Sequence, residues 1–149
     1  MKTIYMDMCC FNRPYDDQTQ ARIRLETEAK LLLQQLVKEG SCDLVWSAVL
    51  DFECDRNPYV EHRLAILQWR MLATRLVLSD QSVIAQSRQL AQHGIGHYDA
   101  LHVASAVSGG AELFVTTDDR LMKRICKLGV MTAVLPAEAL ALVENWYED

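Results

Sequence analysis

Gly110-Ala111-Glu112-Leu113-Phe114-Val115-Thr116-Thr117-Asp118-Asp119-Arg120-Leu121 is the stretch that decides the fold. Two glycine-flanked residues lead into an apolar, β-branched and aromatic run of strand length, Glu112 to Thr116. Asp118 follows, and a helix over 119–128 starts there and stops at Gly129. The same alternation recurs on both sides. Residues 2–7, Asp43-Leu44-Val45-Trp46 and Met131 to Leu135 predict further strands, and Leu76-Val77-Leu78 a short strand or edge segment. Between them the spacing predicts helices. One covers 18–38, with Ala21, Leu25, Ala29, Leu32, Leu33, Leu36 and Val37 near the 3.6 period. A second starts at the cap Ser47 and is interrupted by Pro58. Others cover 59–74, 81–92 behind Ser79 or Asp80, 97–107 before Gly109-Gly110, and Pro136 to about 146. Asn12 to Asp17 and His93 to Gly96 read as loops. Strands alternating with helices predict a mostly parallel sheet of four or five strands, covered on both faces. That is a three-layer α/β/α sandwich, and the chain reads as a single domain over 1–149.

In such a sheet the carboxyl ends of the strands and the amino ends of the following helices share one rim. Four acids fall there. Asp7 follows Thr3-Ile4-Tyr5-Met6. Glu53 lies one turn past Ser47-Ala48-Val49. Asp99 opens the helix His97-Tyr98-Asp99-Ala100-Leu101-His102. Asp118 closes the strand quoted first. A lone acid after a strand is ordinarily a cap or turn residue, and Asp99 and Asp118 each fit that description singly. Glu53 is harder to explain so, because Val49, Leu50, Phe52 and Cys54 around it are apolar and a buried carboxylate needs a partner. Together the four imply a pocket whose mutual repulsion a cation offsets. Hard divalent ions such as Mg²⁺ and Mn²⁺ prefer oxygen ligands. The pattern points to metal-dependent phosphodiester cleavage.

Composition narrows the class. Half of the 149 residues are hydrophobic and 23% are charged, as in a globular protein. A net charge of −5 gives no general attraction to nucleic acid, so any such contact comes from local basic patches. No apolar run reaches the ~18 residues of a membrane span. Met1 to Asp7 carries no signal-peptide core, which makes a cytoplasmic protein the expectation. The five cysteines, irregularly spaced and without a C-x-x-C pair, suggest neither a zinc site nor a disulfide framework. His62 and His93 lack ligand spacing, His97 reads as a helix-start residue, and His102 as a core or interface histidine. Trp46, Trp69 and Trp146 read as core or interface residues.

Gly94-Ile95-Gly96-His97-Tyr98-Asp99-Ala100-Leu101-His102-Val103-Ala104-Ser105-Ala106, with the stretch 110–121, resembles the PIN-domain family, and within it the small VapC-like ribonucleases of toxin–antitoxin pairs. The likeness runs through nearly the whole chain. Its third acid matches Asp99, its fourth Asp118, its first Asp7 and its second Glu53. The resemblance implies a Mg²⁺- or Mn²⁺-dependent endoribonuclease, cytoplasmic, dimeric, and paired with a small antitoxin protein. Asp7, Asp99 and Asp118 are then ligands, and Glu53 a ligand or water orienter. Thr116 and Asp119 are auxiliary candidates. One departure concerns the first motif: the family's small polar residue two after the first acid is Cys9 here, with Asn12 as a candidate substitute. Arg120, Lys123, Arg124 and Lys127 repeat at i, i+3, i+4, i+7 and form a basic stripe starting beside Asp118, a candidate RNA contact along with Arg13. The competing reading is a catalytically weak PIN-like RNA- or protein-binding module, which the intact acids argue against. A phosphoacceptor receiver domain is excluded by the last strand, Met131 to Pro136, which lacks the lysine that class requires. For the dimer, the apolar helices at 59–74 and 81–92, with Ile66, Leu67, Trp69, Met71 and Leu72, are the expected surface.

Overall fold

The computed structural model describes residues 2–148. In chain order its elements are β1 (Lys2–Met6), α1 (Met8–Asn12), α2 (Ala21–Lys38), β2 (Cys42–Ser47), α3 (Ala48–Asp55), α4 (Val60–Leu72), β3 (Arg75–Val77), α5 (Gln81–Gln92), α6 (His97–Ser108), β4 (Leu113–Val115), α7 (Asp119–Leu128), β5 (Thr132–Val134) and α8 (Pro136–Val143). The five strands form one all-parallel sheet in the order β3-β2-β1-β4-β5. The chain walks outward from β1 in one direction, then returns past it to β4 and β5. Right-handed crossovers therefore put α2 and α7 on opposite faces. Among the described residues no helix is long and apolar enough to cross a membrane.

The strands are buried on both faces, so they read as apolar runs rather than alternating ones. Tyr5, Phe11, Trp46 and Phe114 are wholly buried. Each such side chain contributes roughly 1.5–3 kcal/mol by leaving water. Phe11 of α1 meets Trp46 of β2 edge-on, at 5.3 Å between ring centroids. Gly109, which ends α6, has no room for a side chain: a Cβ there would lie 2.6 Å from Val45 Cγ1. The close approach of α6 to β2 depends on that glycine.

Two local readings are corrected. The stretch Asn12 to Asp17 is not simply a loop. Met8–Asn12 is a short α-helix, and Arg13–Tyr15 a 3₁₀ turn with Pro14 in its first positions. Phe11 supplies the reason, because its burial against Trp46 holds a turn that five residues could not sustain alone. The helix expected from residue 18 begins at Ala21, since Asp17 Oδ1 accepts from the Thr19 N–H and oxygen–hydrogen and ties that segment as a turn.

Candidate active site

Register aligns the strand ends. Tyr5 pairs with Val45 on one side and Phe114 on the other, so Asp7, Ser47 and Thr116 leave the sheet at one level. The Asp7 N–H donates to Val115 O at 3.1 Å, closing β1 on β4 at the point where the strand order reverses. Clefts of parallel sheets open at such points.

Asp7 starts α1, yet its side chain makes no capping bond. It is 5% exposed. Burial pushes its carboxyl well above the ordinary range, and the negative charge of Cys9 and Asp99 adds to the effect. Cys9 stands where the family has a small polar residue, and it does that residue's work. Its sulfur touches Asp7 Oδ1, lies 3.5 Å from Thr116 Oγ1, and accepts from the Thr117 N–H. The Cys10 thiol, Asp7 and Thr117 around it pull the Cys9 thiol down to about 5, against its burial. Asp7 and Cys9 thus compete for one proton. Asn12, the candidate substitute, lines a cavity whose wall also includes Glu53.

Asp118 caps α7: Oδ1 accepts from the N–H groups of Arg120 and Leu121, at 3.0 and 3.1 Å. The cap leaves its second oxygen unused. Thr116 is fully buried, and its hydroxyl accepts from the Asp118 N–H at 3.1 Å and lies 3.5 Å from Cys9 Sγ. Asp99, in the first turn of α6, faces Asp118 across a cavity of about 210 Å³. Burial raises its carboxyl, opposed by nearby His102 and reinforced by Asp118, Cys9 and Glu53.

Glu53 is held by a chain of hydrogen bonds that the sequence did not reveal. Tyr5 Oη lies 2.7 Å from Ser47 Oγ and 2.5 Å from His102 Nδ1, and His102 Nε2 bonds Glu53 Oε1. The Leu50 N–H donates to Ser47 Oγ. One arrangement uses every group: Ser47 donates to Tyr5, Tyr5 to His102 Nδ1, and His102 Nε2–H to Glu53. His102 is therefore the core histidine expected, with the added task of fixing Glu53.

The four acids do not collapse on one point. Among the described residues, the potential ligand atoms lying within 4.8 Å of one another belong to Asp7, Cys9 and Cys10. Carboxylate oxygens are the donors that hard divalent cations prefer. Mg²⁺ keeps several waters and takes only one or two protein carboxylates beside substrate phosphate oxygens. The raised carboxyls of Asp7 and Asp99 record burial first, and the negative charge of neighbouring groups second.

The remaining candidates separate clearly. Asp119 is engaged by Arg22, at 2.8 and 2.9 Å, and Arg22 also donates to Thr117 O. Arg13 is engaged by Glu26 and Asp16. Both pairs staple α2 or the 3₁₀ turn beneath the site. Arg120, Lys123, Arg124 and Lys127 are exposed on α7, whose opposite side buries Leu121 and Ile125. Arg120 and Arg124 line the Asp99–Asp118 cavity. Arg124 also donates to Gly94 O, which fixes the cavity's far wall.

A family model described as PIN domain matches residues 6–128. Two solved structures are similar over most of the chain. One is VapBC2 from Rickettsia felis bound to a DNA fragment from its promoter, 15% identical over 89% of this chain and 98% of the other, with a TM-score of 0.52. The second is PAE2754 from Pyrobaculum aerophilum, 16% identical over 97% of this chain and 98% of the other, with a TM-score of 0.53. At these identities the likeness is one of fold. No curated protein matches the sequence.

Proposed function

This chain belongs to the PIN domain family, whose members are generally nucleases, and on that premise we propose that it is a Mg²⁺- or Mn²⁺-dependent endoribonuclease and the toxin of a toxin–antitoxin pair. The observation that carries the reading is the buried, uncapped carboxylate of Asp7 beside Asp99, at the rim where Asp118 and Glu53 also gather. When bound, such a cation lowers the pKa of water and offsets negative charge on the phosphate. Asp7, Asp99 and Asp118 hold it. Glu53, tethered through one oxygen to His102, orients the attacking water with the other. Thr116 and Cys9 keep Asp7 turned into the cleft. The test is cleavage of an unstructured RNA by the purified protein. Mg²⁺ or Mn²⁺ should support it, chelation should stop it, and resupply of the ion should restore it. Cleavage that persists under chelation would contradict the reading.

The α7 stripe guides the RNA backbone toward Asp118. Replacing Lys123 and Arg124 with alanine should weaken RNA binding and flatten its salt dependence. The slope of log affinity against log salt should fall by about 0.7 for each phosphate no longer neutralised. The single-turnover rate at saturating protein should change little. An unchanged slope would remove α7 from the RNA path.

The reading also includes a small antitoxin partner, a cytoplasmic setting consistent with five free cysteines, and a homodimer. Only some of the apolar residues of α4 stay exposed. Ile66 is buried, and Leu67 and Trp69 pack against the core. Leu64, Met71 and Leu72 on α4, with Leu76 and Leu78 at the sheet edge, are the residues left in water. Met71 is 86% exposed, and exposed apolar residues stand both on α4 and at the edge strand β3. Light scattering at micromolar concentration should give twice the monomer mass, and Met71→Glu with Leu78→Glu should halve it. A monomeric wild type would refute the dimer.

A further inference from the structure

We propose that the hollow on the Glu53 side of the acid centre is a subsite for an unpaired nucleobase of the substrate RNA, an inference that rests on the ribonuclease reading above. The hollow measures about 410 Å³, and Glu53 is part of its wall, so it opens on the acid centre. Three aromatic rings, Tyr15, Tyr59 and His62, line it, beside Met8, Asn12, Asp16 and Pro58. The rings of Tyr15 and His62 stack at 3.7 Å between centroids and 12° between planes. Tyr59 leans on the same histidine at 5.0 Å. These rings come from the 3₁₀ turn after α1, the α3–α4 link and α4. None was drawn there by core packing: Tyr15 is 43% exposed and Tyr59 64%. The platform is held in place. Asn57 Oδ1 accepts from the Tyr59 N–H at 2.9 Å, and Arg63 donates to Asn57 O at 3.1 Å.

A nucleobase needs a flat face to stack on and polar groups at its edge. The hollow offers both, since the Arg56 guanidinium and Asn57 amide line it beside the rings. Arg56 also lines an adjoining cavity of about 340 Å³, walled by Phe52 and Tyr98. Those two rings stack at 5.9 Å and 17°, and the guanidinium lies 5.1 Å over Phe52. Aromatic pairs thus stand on both sides of one cation, an order that suits two successive bases and the phosphate joining them. The net charge of −5 adds weight to stacking. A chain with no general attraction for RNA gains affinity from contacts that salt does not screen.

The test uses the Asp99→Asn protein, which keeps RNA intact, and a set of unstructured hexaribonucleotides with abasic counterparts at each position. Tyr59→Ala and Tyr15→Ala should each weaken binding of intact oligomers by roughly 5- to 150-fold, the range for one stacked base. At one abasic position the same substitutions should matter less than about twofold, because no base remains to stack. The salt slope should not change, since neither tyrosine neutralises a phosphate. Tyr59→Phe should bind as the parent does. Unchanged affinity in both alanine variants would overturn the subsite and leave the aromatic rim to a protein partner. An equal loss on intact and abasic oligomers at every position would overturn it as well. Wild-type cleavage of the same RNA is measured alongside. Cleavage with unaffected tyrosine variants defeats the subsite alone, whereas a wild type that neither binds nor cleaves defeats the ribonuclease reading with it.

Discussion

Asp99→Asn should fold normally, bind RNA at least as well as wild type, and lose nearly all cleavage. The amide keeps the shape of the carboxylate and removes the charge that attracts a hard cation. Asp99 shares a cavity with Asp118, so its loss should weaken that pair's hold on a cation. Removing one charge-stabilising group from a preorganised site lowers kcat on the order of 10²–10³-fold, and losing an ion costs at least that. RNA affinity should hold or rise, because a negative charge facing the phosphates is gone. The expected pattern is a collapse of kcat with little change in KM. A rise in KM at unchanged kcat would place Asp99 in substrate binding alone.

Asp7→Asn should raise thermal stability in cation-free buffer, and by an amount that depends on pH. The Asp7 carboxyl is raised in the folded chain by burial and by the charges of Cys9 and Asp99. The folded state therefore binds its proton more tightly than the unfolded state does. Stability from the protonated form is complete below the unfolded value, about 3.9, and is lost as pH rises through the folded value. Across that window wild type should lose stability with rising pH relative to the asparagine variant. Adding Mg²⁺ or Mn²⁺ should narrow the gap at neutral pH, because a ligand that binds only the folded state stabilises it by mass action. Equal melting curves for the two proteins from pH 4 to 8 would show that Asp7 is not a strained carboxylate.

Much of the architecture was readable because its causes are local. Strands buried on both faces appear as short apolar runs, and Gly109 and Gly129 end their helices in plain view. Ser47 read as a cap and caps; of the two candidates Ser79 and Asp80 it is Asp80 that caps, and Asp118, read as a site acid, caps α7 as well. The short helix α1 was not readable, because its stability comes from Phe11 packing on Trp46, a contact between distant segments. Ile66 and Met71 sit on one amphipathic helix, and periodicity alone did not say which of them faces the core. The site divides the same way. The placement of Asp7 and Asp118 just past the ends of β1 and β4 follows from the parallel topology. The link from Tyr5 through His102 to Glu53 joins β1, α6 and α3, so no window of sequence contains it. Cys9 looked like a defect in the first motif, yet its sulfur bonds Asp7 and the Thr117 N–H much as a hydroxyl would. Asp119 and Arg13 looked free and are held by Arg22 and Glu26, partners set by tertiary packing.

Single-turnover cleavage of an unstructured, end-labelled RNA, with wild type and Asp99→Asn purified and assayed in parallel, tests the metal-nuclease assignment most directly. Wild type should cut within the strand in Mg²⁺ or Mn²⁺ and stop on chelation, and Asp99→Asn should leave the RNA whole under both conditions. Cleavage by Asp99→Asn at the wild-type rate would contradict the assignment.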